Sequence, residues 1–170
     1  MKQQKTLRYL TQGGVIAALY VALTTLLQPI CFGPMQCRLS EMLTILPVFT
    51  PAAVPGLAVG CFLSNLIGLS TGANPVGGWD LLLGTAATGL AAWFTYGLRK
   101  VTIKGLPLAA TLPPVVLNAL IVGTELYFVY GGMKWWVYAV VVGAGQCIAC
   151  IGGGLLLAVA IRKSGLQHKL

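Results

Sequence analysis

Residues 135–161 read WWVYAVVVGAGQCIACIGGGLLLAVAI, a run without a single charged side chain. A helix needs about 20 apolar residues to cross the hydrocarbon core of a bilayer. This stretch is long enough to span and to tilt. Lys134 precedes it and Arg162 and Lys163 close it, so charge marks both of its ends.

Worked outward from that run, the same reading gives five more spans. They lie at about 13–28, 39–50, 54–69, 79–98 and 113–130. Pro29 stops the first. The second is short, and Pro51 and Pro55 surround its connection to the third. Arg99 and Lys100 close the fourth, and Pro113 or Pro114 suits the first turn of the fifth. The expectation is an all-α membrane protein of six transmembrane helices, one domain covering 1–170.

Composition agrees. Of the 170 residues 57% are hydrophobic and 8% charged, and mean hydropathy is +0.85. Soluble domains carry about 25% charged residues, so this chain cannot coat itself for water. The net charge of +8 would raise nucleic acid as a partner in a soluble protein. Here the basic residues cluster at the ends of apolar runs, and no nucleic-acid partner is expected. Met1 to Thr11 leads straight into a span with no small-residue cleavage site, which reads as a cytoplasmic tail rather than a signal peptide.

The charges also orient the bundle. With both termini inside, Lys2, Lys5, Arg8, Arg99, Lys100, Lys104, Arg162, Lys163 and Lys169 are cytoplasmic. Only Arg38 and Lys134 fall outside, as the positive-inside rule requires. Trp79, Tyr130, Trp135 and Trp136 then gather at the outer interface, where aromatic belts form.

Small residues recur at helical spacing. Gly14, Ala18 and Ala22 make a stripe in the first span; Gly56, Gly60, Ser64 and Gly68 make another in the third. Such stripes let backbones approach closely. Packing within the bundle is the plainer reading of the first stripe, and a docking surface for another membrane protein the sharper one. The third-span stripe reads as internal. Cys147 and Cys150 form a C-x-x-C inside an apolar run and read as small packing residues. The spacing of Cys31 and Cys37 permits a disulfide without requiring one. The single histidine, His168, lies in the tail and offers no metal site.

The three carboxylates carry the most information. Glu41 lies just inside the outer end of the second span, and Asp80 opens the fourth from the same side. Glu125 sits five residues before Tyr130, about 8 Å below the outer end at a rise of 1.5 Å per residue. Ionisable groups within spans are costly and are functional candidates by default. Asn118 and Glu125, seven apart, share a face of the fifth span. Trp135, Tyr138, Val142 and Gln146 share one of the sixth, and Asn65 belongs to the outer half of the third. Together with Trp79 and Arg38 these residues outline an outward-facing cavity, ringed by carboxylates, floored by amides and walled by aromatics. It suits a flat, nitrogen-rich ligand whose N–H groups the carboxylates accept and whose plane the rings stack upon. The plainer alternatives are an Arg38–Glu41 pair at a helix start and Asp80 as a cap or dipole partner; Glu125 has no basic neighbour in sequence.

No G-x-x-x-x-G-K-[ST] motif occurs, and no inverted repeat is visible. The chain is short for an independent alternating-access transporter, so a transport role calls for partner subunits.

The run Arg38-Leu39-Ser40-Glu41-Met42-Leu43-Thr44-Ile45-Leu46-Pro47 resembles the QueT family of queuosine-precursor transporters. The resemblance continues through Phe49-Thr50-Pro51-Ala52-Ala53-Val54-Pro55-Gly56 and Gly60-Cys61. It takes in Ile16 to Val21 and Leu117 to Gly123. It implies a six-helix substrate-binding S component of an energy-coupling factor transporter in the bacterial plasma membrane. The implied partners are a transmembrane coupling protein and two ATPases, which use ATP; no cofactor is expected on this chain. The implied ligands are deazaguanine bases: the cyano or aminomethyl precursors of queuosine, or queuine. It further implies that Ala18 and Ala22 contact the coupling protein and that the bundle topples in the membrane. The loop from Pro29 to Cys37 is a candidate lid. Two rival readings are a small intramembrane enzyme using the carboxylates as acid and base, and an assembly subunit that binds no ligand.

Overall fold

A computed structural model describes residues 2–32 and 37–168. Their regular structure is helical, apart from one bridge between Ile103 and Leu106. Helix α1 (Lys2–Leu26) is followed by the short α2 (Gln28–Cys31), a 3-10 segment (Leu39–Val48), α3 (Ala53–Ser70) and α4 (Gly78–Gly97). A 3-10 turn (Leu108–Thr111) leads into α5 (Leu112–Tyr130). Then α6 (Trp135–Gln146) runs through a π-turn (Cys147–Gly153) into α7 (Gly154–Lys163).

Four stretches are long and apolar enough to cross a membrane: Gln3–Leu26, Ala53–Ser70, Leu108–Tyr130 and Trp135–Lys163. The last joins α6 and α7. Helix α4 has the length, 20 residues, but carries Asp80, Thr85, Thr88 and Thr95. The expected tail before Gly13 is instead part of α1, whose ladder starts at Lys2.

The expected second span is no α-helix. Its ten residues form a 3-10 segment with Pro47 inside it. Proline has no N–H to give to a helical ladder. At about 2.0 Å per residue the segment extends about 20 Å, against about 15 Å for the same residues in α-helix. Ser40, Glu41 and Leu43 to Pro47 are buried, so it runs through the middle of the protein.

Two cores flank the polar centre. Ile16, Tyr20, Leu43, Leu46, Leu57 and Ile161 join α1, the 3-10 segment, α3 and α7 in one. Val76, Ala87, Val122, Leu126, Tyr138 and Val142 tie α4, α5 and α6 in the other. The α1–α3 crossing is very close. A Cβ placed on Gly56 would lie 2.7 Å from the Gly13 carbonyl oxygen, and one on Gly60 2.8 Å from Tyr20 Cβ. The third-span stripe of Gly56, Gly60, Ser64 and Gly68 is therefore internal, as its spacing suggests. The first-span stripe is not. Gly14, Ala18 and Ala22 are exposed, Gly14 at the edge of the crossing in a groove with Gly56 and Val59, so packing within this chain does not account for Ala18 and Ala22.

Candidate functional site

The 3-10 segment and the bend before it bring two charged groups into the interior. Arg38 is buried and its Nη2 donates to Asp80 Oδ2 in an ion pair. Arg38 therefore does not form the salt bridge with Glu41 that their spacing allows. Its Nε donates to the Cys31 carbonyl at 3.4 Å, and its guanidinium lies 5.0 Å from the centre of the Phe32 ring. Asp80 stands in the first turn of α4, where an acid suits the dipole. Its side chain caps nothing; it serves Arg38 and also accepts from Asn74 Nδ2 at 2.8 Å. Asn65 on α3 donates to the Asp80 backbone carbonyl at 2.6 Å. Gly84, one turn on, keeps this corner open: a Cβ there would collide with Asp80 Oδ1.

Glu41 is satisfied differently. It accepts from the Tyr20 hydroxyl and, at 2.9 Å, from Thr88, both at Oε1. Asn118 Nδ2 reaches its other oxygen at 3.5 Å. Hydroxyls and an amide from α1, α4 and α5 thus converge on one buried carboxylate. Below it, Cys150 on the π-turn donates to Gln146 Oε1 at 3.2 Å and to the Glu41 carbonyl at 3.5 Å.

Glu125 is the contrast. It is 4% exposed, on the same face of α5 as Asn118, and among the described residues neither carboxylate oxygen has a hydrogen-bond partner. Among the described residues the other buried side-chain polar atoms left unpaired are Asn65 Oδ1, Asp80 Oδ1 and the Thr85 hydroxyl. Buried polar groups without a partner are uncommon and call for an explanation. Glu125 also lines a cavity of about 680 Å3 between α4 and α5, with Leu83, Ile121 and Thr124 beside it and Trp79 and Phe128 on its rim.

Of the residues named from sequence, Arg38, Glu41, Asn65, Asp80, Asn118 and Gln146 meet in or directly beneath this polar centre, with Glu125 at its α5 side. The aromatics do not wall it. Trp79 is 67% exposed on the cavity rim. Trp135 stands outside, its Nε1 donating to Thr124 at 2.8 Å. Tyr138 is buried, but its hydroxyl donates to the Gly131 carbonyl at the α5–α6 turn. Ring position on a helix face was legible; where the polar tip of each ring ends was not. Tyr20, Asn74 and Thr88 were missed. Tyr20 and Thr24, four apart in an apolar span and both buried, were the available signal for α1. Cys31 and Cys37 are free thiols, and of the C-x-x-C pair Cys150 is buried and Cys147 exposed. Of the candidate lid from Pro29 to Cys37, Pro29 to Cys31 belong to α2, and residues 33–36 lie outside the described residues.

A helical bundle with several membrane-length apolar helices, holding a charged and amide-rich centre shielded from lipid, defines a multi-pass membrane protein built around a polar site. The family model described as QueT transporter matches residues 10–163, and the chain belongs to that family. It is also similar to the queuosine precursor transporter QueT of Lactococcus lactis subsp. cremoris (strain MG1363), 36% identical over 85 residues. That match takes in 49% of this chain and 50% of the relative, so the chain spans about half the length of the curated relative it matches. No solved structure matches it. Family and apolar helices together place the chain in the bacterial plasma membrane.

Proposed function

We propose that this chain is the substrate-binding S component of an energy-coupling factor transporter and that its polar centre captures a queuosine precursor, a deazaguanine base, from the outer side. The observation that carries the reading is the set of unpaired buried acceptors: Asn65 Oδ1, Asp80 Oδ1 and both oxygens of Glu125. A deazaguanine presents ring N–H and exocyclic amine donors, which is what such acceptors lack. An assembly subunit that bound nothing would have its polar groups paired with one another. An intramembrane enzyme has less support, because Glu41 and Asp80 are already engaged by donors and the described residues hold no histidine beside them.

In this reading the 3-10 segment and α4 complete six spans with both termini cytoplasmic, as the distribution of Lys and Arg favours. The exposed stripe of Gly14, Ala18 and Ala22 on α1 is the docking face for a transmembrane coupling protein. Two partner ATPases use ATP to drive release, and the bundle topples to present the site inward. The chain itself needs no cofactor.

Binding of radiolabelled precursor to the purified, folded protein is the direct test. Saturable binding supports the reading. Folded protein that binds neither the cyano nor the aminomethyl base removes it.

A further inference from the structure

The buried charges do not balance. All three acids of the chain, Glu41, Asp80 and Glu125, are buried, against one buried base among the described residues, Arg38. Arg38 is committed to Asp80. Glu41 has three neutral donors around it. Among the described residues Glu125 has neither an ion-pair partner nor a hydrogen-bond donor. A buried carboxylate without a partner costs several kcal/mol in lost hydration. A ligand that brings a cation to it recovers that cost. One that brings only a further acceptor does not.

Position supports the same conclusion. Glu125 lies seven residues beyond Asn118 on α5, about 10 Å along the helix from the amide that reaches Glu41. Glu125 lines the α4–α5 cavity of about 680 Å3. That volume is within the range of small-molecule pockets, about 300–1,000 Å3. The lining near the acid is aliphatic, from Leu83 and Ile121, with the Thr124 hydroxyl donating to the Leu120 carbonyl. Among the described residues no basic side chain lines it. An alkylammonium arm has its methylene against the aliphatic wall and its charge against Glu125.

We infer that Glu125 is the specificity-determining residue of the site and selects a planar base carrying a protonated amine arm, the aminomethyl form, over the cyano form. This rests on the proposed function. The base sets its ring N–H groups against Asp80 Oδ1 and Asn65 Oδ1, and the ammonium pairs with Glu125. A nitrile nitrogen only accepts hydrogen bonds, so against an ionised Glu125 it faces a second acceptor.

The test is equilibrium binding of the aminomethyl and cyano deazaguanines to wild-type protein and to Glu125→Gln, each variant shown to be folded by its thermal transition. Wild-type protein should bind the aminomethyl base at least about tenfold more tightly, equivalent to about 1.4 kcal/mol. Glu125→Gln should lose most of that preference through weaker aminomethyl binding, with cyano affinity little changed. Equal affinities in the wild type overturn the inference. So does a preference for the cyano form, as a protonated Glu125 donating to the nitrile would give, or a preference that survives in Glu125→Gln. Absence of binding by either base to folded wild-type protein instead removes the functional reading beneath it.

Discussion

The α1–α3 and α4–α5 contacts are built to opposite plans. Between α1 and α3, glycine meets backbone and no side chain separates the helices at Gly13 and Gly56. Between α4 and α5 the chains part around a cavity, and an unpaired carboxylate stands at its edge. In a bilayer, helices associate through close packing rather than hydrophobicity. The first contact therefore supplies cohesion. The second gives cohesion up and leaves buried acceptors without donors, the feature on which the proposed site rests.

The strongest way to break the comparison is at the ion pair that closes the α4 end of the polar centre. Arg38→Ala leaves Asp80 buried and unpaired and should cost about 3–5 kcal/mol, read as loss of the thermal transition in detergent. Replacing both members, Arg38→Met with Asp80→Leu, should recover most of that stability, because apolar packing substitutes well for a buried pair. A double variant as unstable as Arg38→Ala would show that the pair does more than neutralise itself. Next in size is the close crossing. Gly56→Val forces α1 and α3 apart and should cost about 1–3 kcal/mol by overpacking; an unchanged melting temperature would mean the crossing yields easily. The smallest effect sharpens the contrast. Glu125→Gln replaces an unpaired buried carboxyl by a neutral amide and should leave the melting temperature without ligand unchanged or slightly raised. A clear drop would mean that Glu125 has a structural partner.

How far the sequence carried differs by region for a physical reason. Five of the expected spans fall on observed helices, most ends within a residue or two, because apolar runs and prolines act locally. The start of α1 was hidden, since Lys2 to Gln12 is polar and hydropathy does not register a helix that continues beyond the apolar core. The 3-10 form of residues 39–48 was hidden too, although Pro47 and the shortness of the run hinted at it. In the candidate site the acids and amides were legible because they are rare in apolar surroundings. Their pairing was not. Arg38 lies three residues from Glu41 and 42 from Asp80, and it bonds the distant one. Only the tertiary path of the 3-10 segment decides that. The exposure of Ala18 and Ala22 likewise depends on which face of α1 meets α3, and spacing alone gives a stripe without its direction.

The π-turn at Cys147–Gly153 has a consequence for how the long last helix reads as a pattern. Tyr138, Val142, Gln146, Cys150, Gly154 and Ala158 are all buried, each four residues after the one before. In a pure α-helix a four-residue step overshoots a full turn by about 40°, and over that row the side chains would wind half-way round to lipid. The wider π-turn takes up the overshoot in mid-helix. An unbroken row of buried residues at steps of four, running beside others such as Gly145 and Ile161, is thus the written trace of the unwinding. It keeps Tyr138, the Gln146 amide and Cys150 thiol beneath Glu41, and the small residues Gly154 and Ala158 in a single phase.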